Sequence, residues 1–140
     1  AIVYTSGSAW KVAYCAESSW VAVKTSTTER DKMRFGDFDG DGTTDVFTKD
    51  GRQWKVAFSG KGDWVNLKSS GVSLDRLGFC DFNGDGTTDI MFTNGSEWKV
   101  SWSGQTGWQT INNFGDDLSD LRLVDVNGDG KCDVLRRSLL

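Results

Sequence analysis

Three stretches concentrate oxygen ligands at regular spacing. They read Asp37-Phe-Asp-Gly-Asp-Gly-Thr-Thr-Asp45, Asp81-Phe-Asn-Gly-Asp-Gly-Thr-Thr-Asp89 and Asp125-Val-Asn-Gly-Asp-Gly-Lys-Cys-Asp133. In the first, Asp37, Asp39, Asp41 and Asp45 occupy positions 1, 3, 5 and 9. Asp81, Asn83, Asp85 and Asp89 do so in the second, and Asp125, Asn127, Asp129 and Asp133 in the third. Alternate spacing aims successive side-chain oxygens at one centre while the chain curls around it. Gly42, Gly86 or Gly130 at position 6 allows the sharp turn, and the backbone carbonyl of Thr43, Thr87 or Lys131 at position 7 is free to join. Such a set suits a hard cation with about six oxygen ligands, and a flexible all-protein loop favours calcium over magnesium. The expectation is one Ca2+ per loop, three per chain.

Charge supports that reading. The chain has 140 residues, 16 Lys+Arg and 20 Asp+Glu, and a formal net charge of −4. The three loops hold ten of the acidic residues, and packing their carboxylates together without a cation is repulsive. The mild overall acidity argues against nucleic acid or an anionic membrane as partner. With no histidine, Ser-His-Asp and Cys-His catalysis and His-ligated zinc are excluded. No run of apolar residues has the length of a membrane helix, so no membrane insertion is expected. The remaining acids show no pairing across a pocket, and the chain is read as non-enzymatic.

The elements that position the loops repeat with them. The loops start 44 residues apart, as do Trp10, Trp54 and Trp98 in a shared Trp-Lys-Val triplet, and a second series of Trp20, Trp64 and Trp108. The units are 3–46, 47–90 and 91–134. Around the middle unit, Arg34–Gly36 leads into the first loop and Asp45–Thr48 leaves it. Gln53–Phe58 alternates with period two, and Trp64–Leu67 forms a further strand. Trp54, Val56 and Phe58 share one face and require burial. Four short strands in about 44 residues are the content of a propeller blade. The fold expected is all-β, a β-propeller of four-stranded blades, three repeats in a single domain over 1–140.

The loops, with Phe35-Gly36 before the first, resemble the FG-GAP/VCBS repeat of calcium-binding β-propellers, found in integrin α-chains and in Psathyrella velutina-type lectins. The resemblance implies that each loop joins the first two strands of a blade, that calcium pins this hairpin, and that the setting is extracellular or on a cell surface.

Three blades are too few for a ring. The chain opens on a second-strand segment, Ile2–Tyr4, and 121–136 supplies a spare first strand, loop and second strand. This predicts a homo-oligomer, a dimer giving six blades, in which 121–136 completes a blade of the partner chain; a fragment of a longer propeller is the alternative. The functional expectation is a multivalent lectin with glycan sites between blades, at Trp20, Trp64 and Trp108. A protein-interaction or accessory propeller is the alternative. Trp10, Trp54 and Trp98 are expected in the core. Cys15, Cys80 and Cys132 are odd in number and are read as free and partly buried.

Overall fold

The computed structural model describes residues 2–137. Within them the chain forms thirteen strands in four antiparallel sheets and no α-helix. The first sheet has three strands, β1 (Ile2–Ser6), β2 (Ala9–Ala13) and β3 (Val21–Thr25). Two four-stranded sheets follow. One is β4 (Arg34–Gly36), β5 (Asp45–Asp50), β6 (Gln53–Ala57) and β7 (Val65–Ser69). The other is β8 (Gly78–Cys80), β9 (Asp89–Thr93), β10 (Trp98–Ser101) and β11 (Gln109–Asn112). The hairpin β12 (Leu121–Val124) and β13 (Asp133–Arg136) is the last sheet.

The repeat is therefore realised as two complete four-stranded sheets flanked by a three-stranded and a two-stranded one. The described residues do not close a ring. Ile2–Tyr4 and Val134–Arg136, which align with the same strand position, lie in different sheets.

Strand boundaries follow local chemistry. The period-two run ends at Ala57 rather than Phe58, because a tight 3-10 turn begins there and places Ser59 at φ 56°. Ser103 and Cys15 take the same left-handed conformation at the equivalent positions of their repeats. Each third strand pairs with the fourth through a register shift at its tryptophan, between Trp10 and Lys11, Gln53 and Lys55, and Trp98 and Lys99. Such bulges add local twist to a short sheet.

The core lies between sheets. Trp10, Met33, Val46 and Ala57 are buried between the first sheet and the second. Phe38, Phe47, Trp54, Val56, Leu77 and Ile90 fill the next gap, with Phe58 against them. Met91, Trp98, Val100 and Leu121 fill the last. The expected core tryptophans are thus all buried, and opposite faces of each strand serve neighbouring gaps, as strand alternation requires.

The cysteines differ from the expectation. Cys80 and Cys132 form a disulfide, with Cα atoms 5.9 Å apart and 52 positions apart in sequence. Only Cys15 is free, and it is exposed. The bridge ties β8 to the third acidic loop. Equivalence with Gly36, Val124, Thr44 and Thr88 makes the two positions look unremarkable in sequence. Contact between adjacent repeats brings them together.

Candidate functional site

Each acidic loop connects the first two strands of its sheet, and its first carboxylate organises it. Asp37 accepts the amides of Gly40 and Gly42 on its two oxygens, at 2.8 and 2.9 Å. Asp81 does the same with Gly84 and Gly86, and Asp125 with Gly128 and Gly130. The curl needs residues with positive φ at Gly40 and Gly42, 76° and 84°, which glycine adopts without a Cβ penalty. Oδ1 of Asp39 accepts the Asp41 amide at 3.2 Å, and Asn83 and Asn127 repeat the contact. Asp41 accepts both the amide and the hydroxyl of Thr43, at 2.8 and 2.6 Å. Asp85 takes both groups of Thr87, and Asp129 accepts the Lys131 amide at 2.9 Å.

The carboxylate at position 9 has a role that spacing did not reveal. Asp45 is fully buried. It accepts the Phe38 amide from its own loop at 2.8 Å and the Ser59 amide from the turn after β6, also at 2.8 Å. Asp89 bridges Phe82 and Ser103 in the same way, at 2.9 and 2.8 Å. Hydroxyls reinforce the junction: Thr43 with Ser59 at 2.9 Å, Thr87 with Ser103 at 2.6 Å. These bonds hold the left-handed serine. A serine recurring at the same distance from the loop, Ser59 and Ser103, was the available signal.

The donor set fits a hard cation. One oxygen each from Asp37, Asp39 and Asp45 lie within 4.8 Å of one another, and so do those of Asp125, Asp129 and Asp133. Asp81, Asn83 and Asp89 hold positions 1, 3 and 9 of the second loop, with an amide oxygen in place of one carboxylate. The backbone carbonyls of Thr43, Thr87 and Lys131 belong to the same turns.

Crowding marks the electrostatics. Desolvation raises the Asp39 pKa above the ordinary carboxylate value, opposed by the Asp41 amide and aided by the charges of Asp45 and Asp41. Burial likewise raises that of Asp89, opposed by the Ser103 and Phe82 amides, and the charges of Asp85 and Asp81 push it further. The Thr43 hydroxyl and amide lower Asp41, the Thr87 amide and hydroxyl lower Asp85, and the Gly130 amide lowers Asp125. The first two loops thus mix acids pinned in the charged form by local donors with acids that lack a countercharge.

The second tryptophan series is not equivalent from repeat to repeat. Trp64 is half-buried, edge-on to Trp10 at 5.5 Å, with the Lys24 ammonium 5.8 Å from its ring centre. Trp108 is half-buried against Trp54 at 5.5 Å and Phe92 at 4.5 Å. Both pack between sheets. Trp20 is 49% exposed, and its ring lies 5.5 Å from that of Tyr4, tilted by 40°. Near that first sheet, Thr5, Gly7, Thr27, Thr28, Glu29, Arg30 and Asp31 line an open polar hollow of about 450 Å³.

No curated protein matches the chain. Residues 81–135, which run from the second acidic loop through the third, match the FG-GAP-like repeat family.

Proposed function

We propose that the chain is a calcium-stabilised, propeller-like binding module, that it is not an enzyme, and that its ligands are glycans met outside the cell. The observation that carries the reading is the convergence of Asp37, Asp39 and Asp45 oxygens at positions 1, 3 and 9 of the first loop, and of Asp125, Asp129 and Asp133 oxygens at positions 1, 5 and 9 of the third, in loops of one design at the head of successive sheets. A cation held there by Asp37, Asp39, Asp41, Asp45 and the Thr43 carbonyl, and by the matching residues of the other loops, neutralises the crowded carboxylates. It clamps the first strand of each sheet to the second. Through Asp45 and Asp89 it also stiffens the turn after the third. The FG-GAP-like match over residues 81–135 supports an interaction module.

Glycan binding is supported by the exposed Trp20–Tyr4 pair, with the hydroxyls of Ser18 and Ser19 directly before Trp20 in the chain. Aromatic faces stack on sugar C–H groups while polar neighbours take the hydroxyls. A protein-binding module is the second reading. What favours it is the FG-GAP-like match over residues 81–135, which suggests an interaction module without specifying a sugar. The Cys80–Cys132 bridge supports an oxidising, extracytoplasmic compartment.

Two experiments test the proposal. Calcium bound only to the folded state adds about 2.7 kcal/mol per site at a free concentration of about 100 Kd, so chelation lowers the melting temperature; an unchanged melting curve sinks the metal reading. A glycan array with calcium-loaded protein tests the ligand. Binding to one epitope, competed by free sugar and lost in Trp20→Ala, supports the lectin. A blank array with a pulled-down protein partner replaces it with the second reading.

A further inference from the structure

Asp37, at position 1 of the first acidic loop, is held from two sides. Its carboxylate oxygens accept the Gly40 and Gly42 amides of its own loop. Its main chain is held by the next loop. The Asp37 amide donates to the Thr88 hydroxyl at 2.8 Å, and the Asp37 carbonyl accepts the Thr88 amide at 2.7 Å. The strand ladder does not reach this residue, because the pairing of β4 with β5 ends one position earlier, at Gly36 with Asp45. Gly36 lets the two loops approach: a Cβ there would lie 2.8 Å from the Thr88 side chain. A second contact runs beside the first. The Thr87 methyl stands over Gly40, 3.2 Å from where a Cβ would be.

Thr88 is at position 8 of the second loop and is not in that loop's donor set. It stands between two residues that are: Thr87, with its carbonyl at position 7, and Asp89, with its carboxylate at position 9. Asp89 is fully buried and fixed by the Phe82 and Ser103 amides. The same junction recurs one repeat later. The amide of Cys132, at position 8 of the third loop, donates to the Asp81 carbonyl at 2.7 Å. Cys132 is also bonded to Cys80, the residue directly before Asp81. The Lys131 side chain lies over Gly84, with Cγ 3.0 Å from the Cβ position. Each junction thus sets positions 7 and 8 of one loop on positions 4 and 1 of the loop before it.

We propose that calcium binding is coupled from loop to loop through these junctions, with Thr88 a positioning residue for the first site and Cys132 for the second. The inference rests on the calcium reading given above. Filling the second loop fixes Thr87 and Asp89, and so fixes Thr88 between them. The Thr88 hydroxyl and amide are then in place for Asp37 before the first loop fills, and the entropy of ordering that contact has already been lost. The converse holds by linkage: filling the first loop fixes Asp37 and favours the second site by the same factor. Repulsion between neighbouring ions acts the other way, but salt screens it, and the junction is made of neutral groups that salt leaves alone. A loop's affinity is therefore set partly by a residue of the loop that follows it, 51 positions away in the case of Asp37 and Thr88.

The position-6 glycines report the loops one by one, because the Gly42, Gly86 and Gly130 amides each bond the first carboxylate of their own loop. A buffered calcium titration of 15N-labelled protein at physiological salt, followed at these three amides by NMR, gives three midpoints. Asp85→Ala, at an exposed side chain, empties the second loop; the Gly42 midpoint then rises at least about 5-fold, the lower end of ordinary coupling. Asp41→Ala raises the Gly86 midpoint in the same sense. Thr88→Val deletes one hydroxyl and keeps the amide; it raises the Gly42 midpoint about 5-fold, the worth of one hydrogen bond, and moves the Gly86 midpoint less. Thr88→Ser restores the parent value. Thr44→Val, the same change at the exposed position 8 of the first loop, leaves the Gly42 midpoint in place. A Gly42 midpoint indifferent to Asp85→Ala overturns the coupling and leaves the calcium reading standing, as does a Thr88→Val protein weakened at the second loop alone. Should Thr88→Val fail to fold, the Asp85→Ala and Asp41→Ala titrations decide. Parent amides that do not respond to calcium overturn the calcium reading, and the coupling with it.

Discussion

Removing the Cys80–Cys132 bridge probes how much stability comes from tying adjacent repeats together. The bridge closes a stretch of 52 residues, and the loop-entropy relation assigns such a closure about 4 kcal/mol at 25 °C. Cys80→Ala with Cys132→Ala forfeits that. Cys80→Gly with Cys132→Thr forfeits it too, but rebuilds the junction seen one repeat earlier, where the Thr88 hydroxyl accepts the Asp37 amide at 2.8 Å. The recovered hydrogen bond is worth about 1 kcal/mol. Glycine is needed at position 80 for the reason given by Gly36, where a Cβ would meet the threonine side chain at 2.8 Å. Urea unfolding without reductant, in the Cys15→Ser background and at one protein concentration, reads all three proteins. With a slope of about 1.5 kcal/mol per molar, the double-alanine midpoint falls about 2.7 M below the parent, and the Gly/Thr variant lies between. A double-alanine protein within about 1 kcal/mol of the parent refutes the cross-link argument. Thiol titration that finds Cys80 and Cys132 free in the denatured parent refutes the bridge itself.

Other consequences follow from the same geometry. Asp45→Ala removes a buried acceptor of two amides and costs about 3 kcal/mol even with metal chelated, whereas Asp41→Ala, an exposed position, then costs less than about 1 kcal/mol. With calcium, native mass spectrometry finds each variant one ion short, and equal stability losses under chelation would contradict the bridging role of Asp45. Trp64→Ala loses its packing on Trp10 and costs about 2 kcal/mol, and Trp20→Ala costs less than about 1 kcal/mol; thermal unfolding in the reverse order defeats the placement of these rings. The Thr110 hydroxyl, 2.6 Å from Glu97, holds that carboxyl below its ordinary value of 4.5, with help from the Lys99 charge. A depressed acid stabilises the fold above its unfolded pKa, and that contribution is lost as pH falls through the folded value. Thr110→Val therefore raises the Glu97 titration midpoint followed by NMR. Its stability deficit relative to the parent is present at neutral pH and disappears in acid below 4.5; an unmoved midpoint removes the argument.

Local chemistry was sufficient for much of this molecule. Acid spacing and glycine placement define the loops because the bonds that shape them are local: those from Asp37 to Gly42 and from Asp41 to Thr43 span five residues or fewer, and the one that closes the loop, from Phe38 to Asp45, spans seven. Alternation in Gln53–Ala57 locates a strand and its buried face because side-chain direction in a strand has a fixed period. The recurrence at 44 residues announces the stacking of like units. Three features depended on the tertiary structure. Cys80 meets Cys132, and Thr88 meets Asp37, because repeats pack with their first strands side by side, a relation between residues 51 or 52 positions apart. Trp64 and Trp108 lie between sheets while Trp20 stays open, although the three share one position in the repeat. What differs is whether a preceding sheet offers Trp10 or Trp54 to pack on. A periodic sequence specifies the unit, and the neighbour each unit acquires decides which surface of it is buried, bridged or left for a partner.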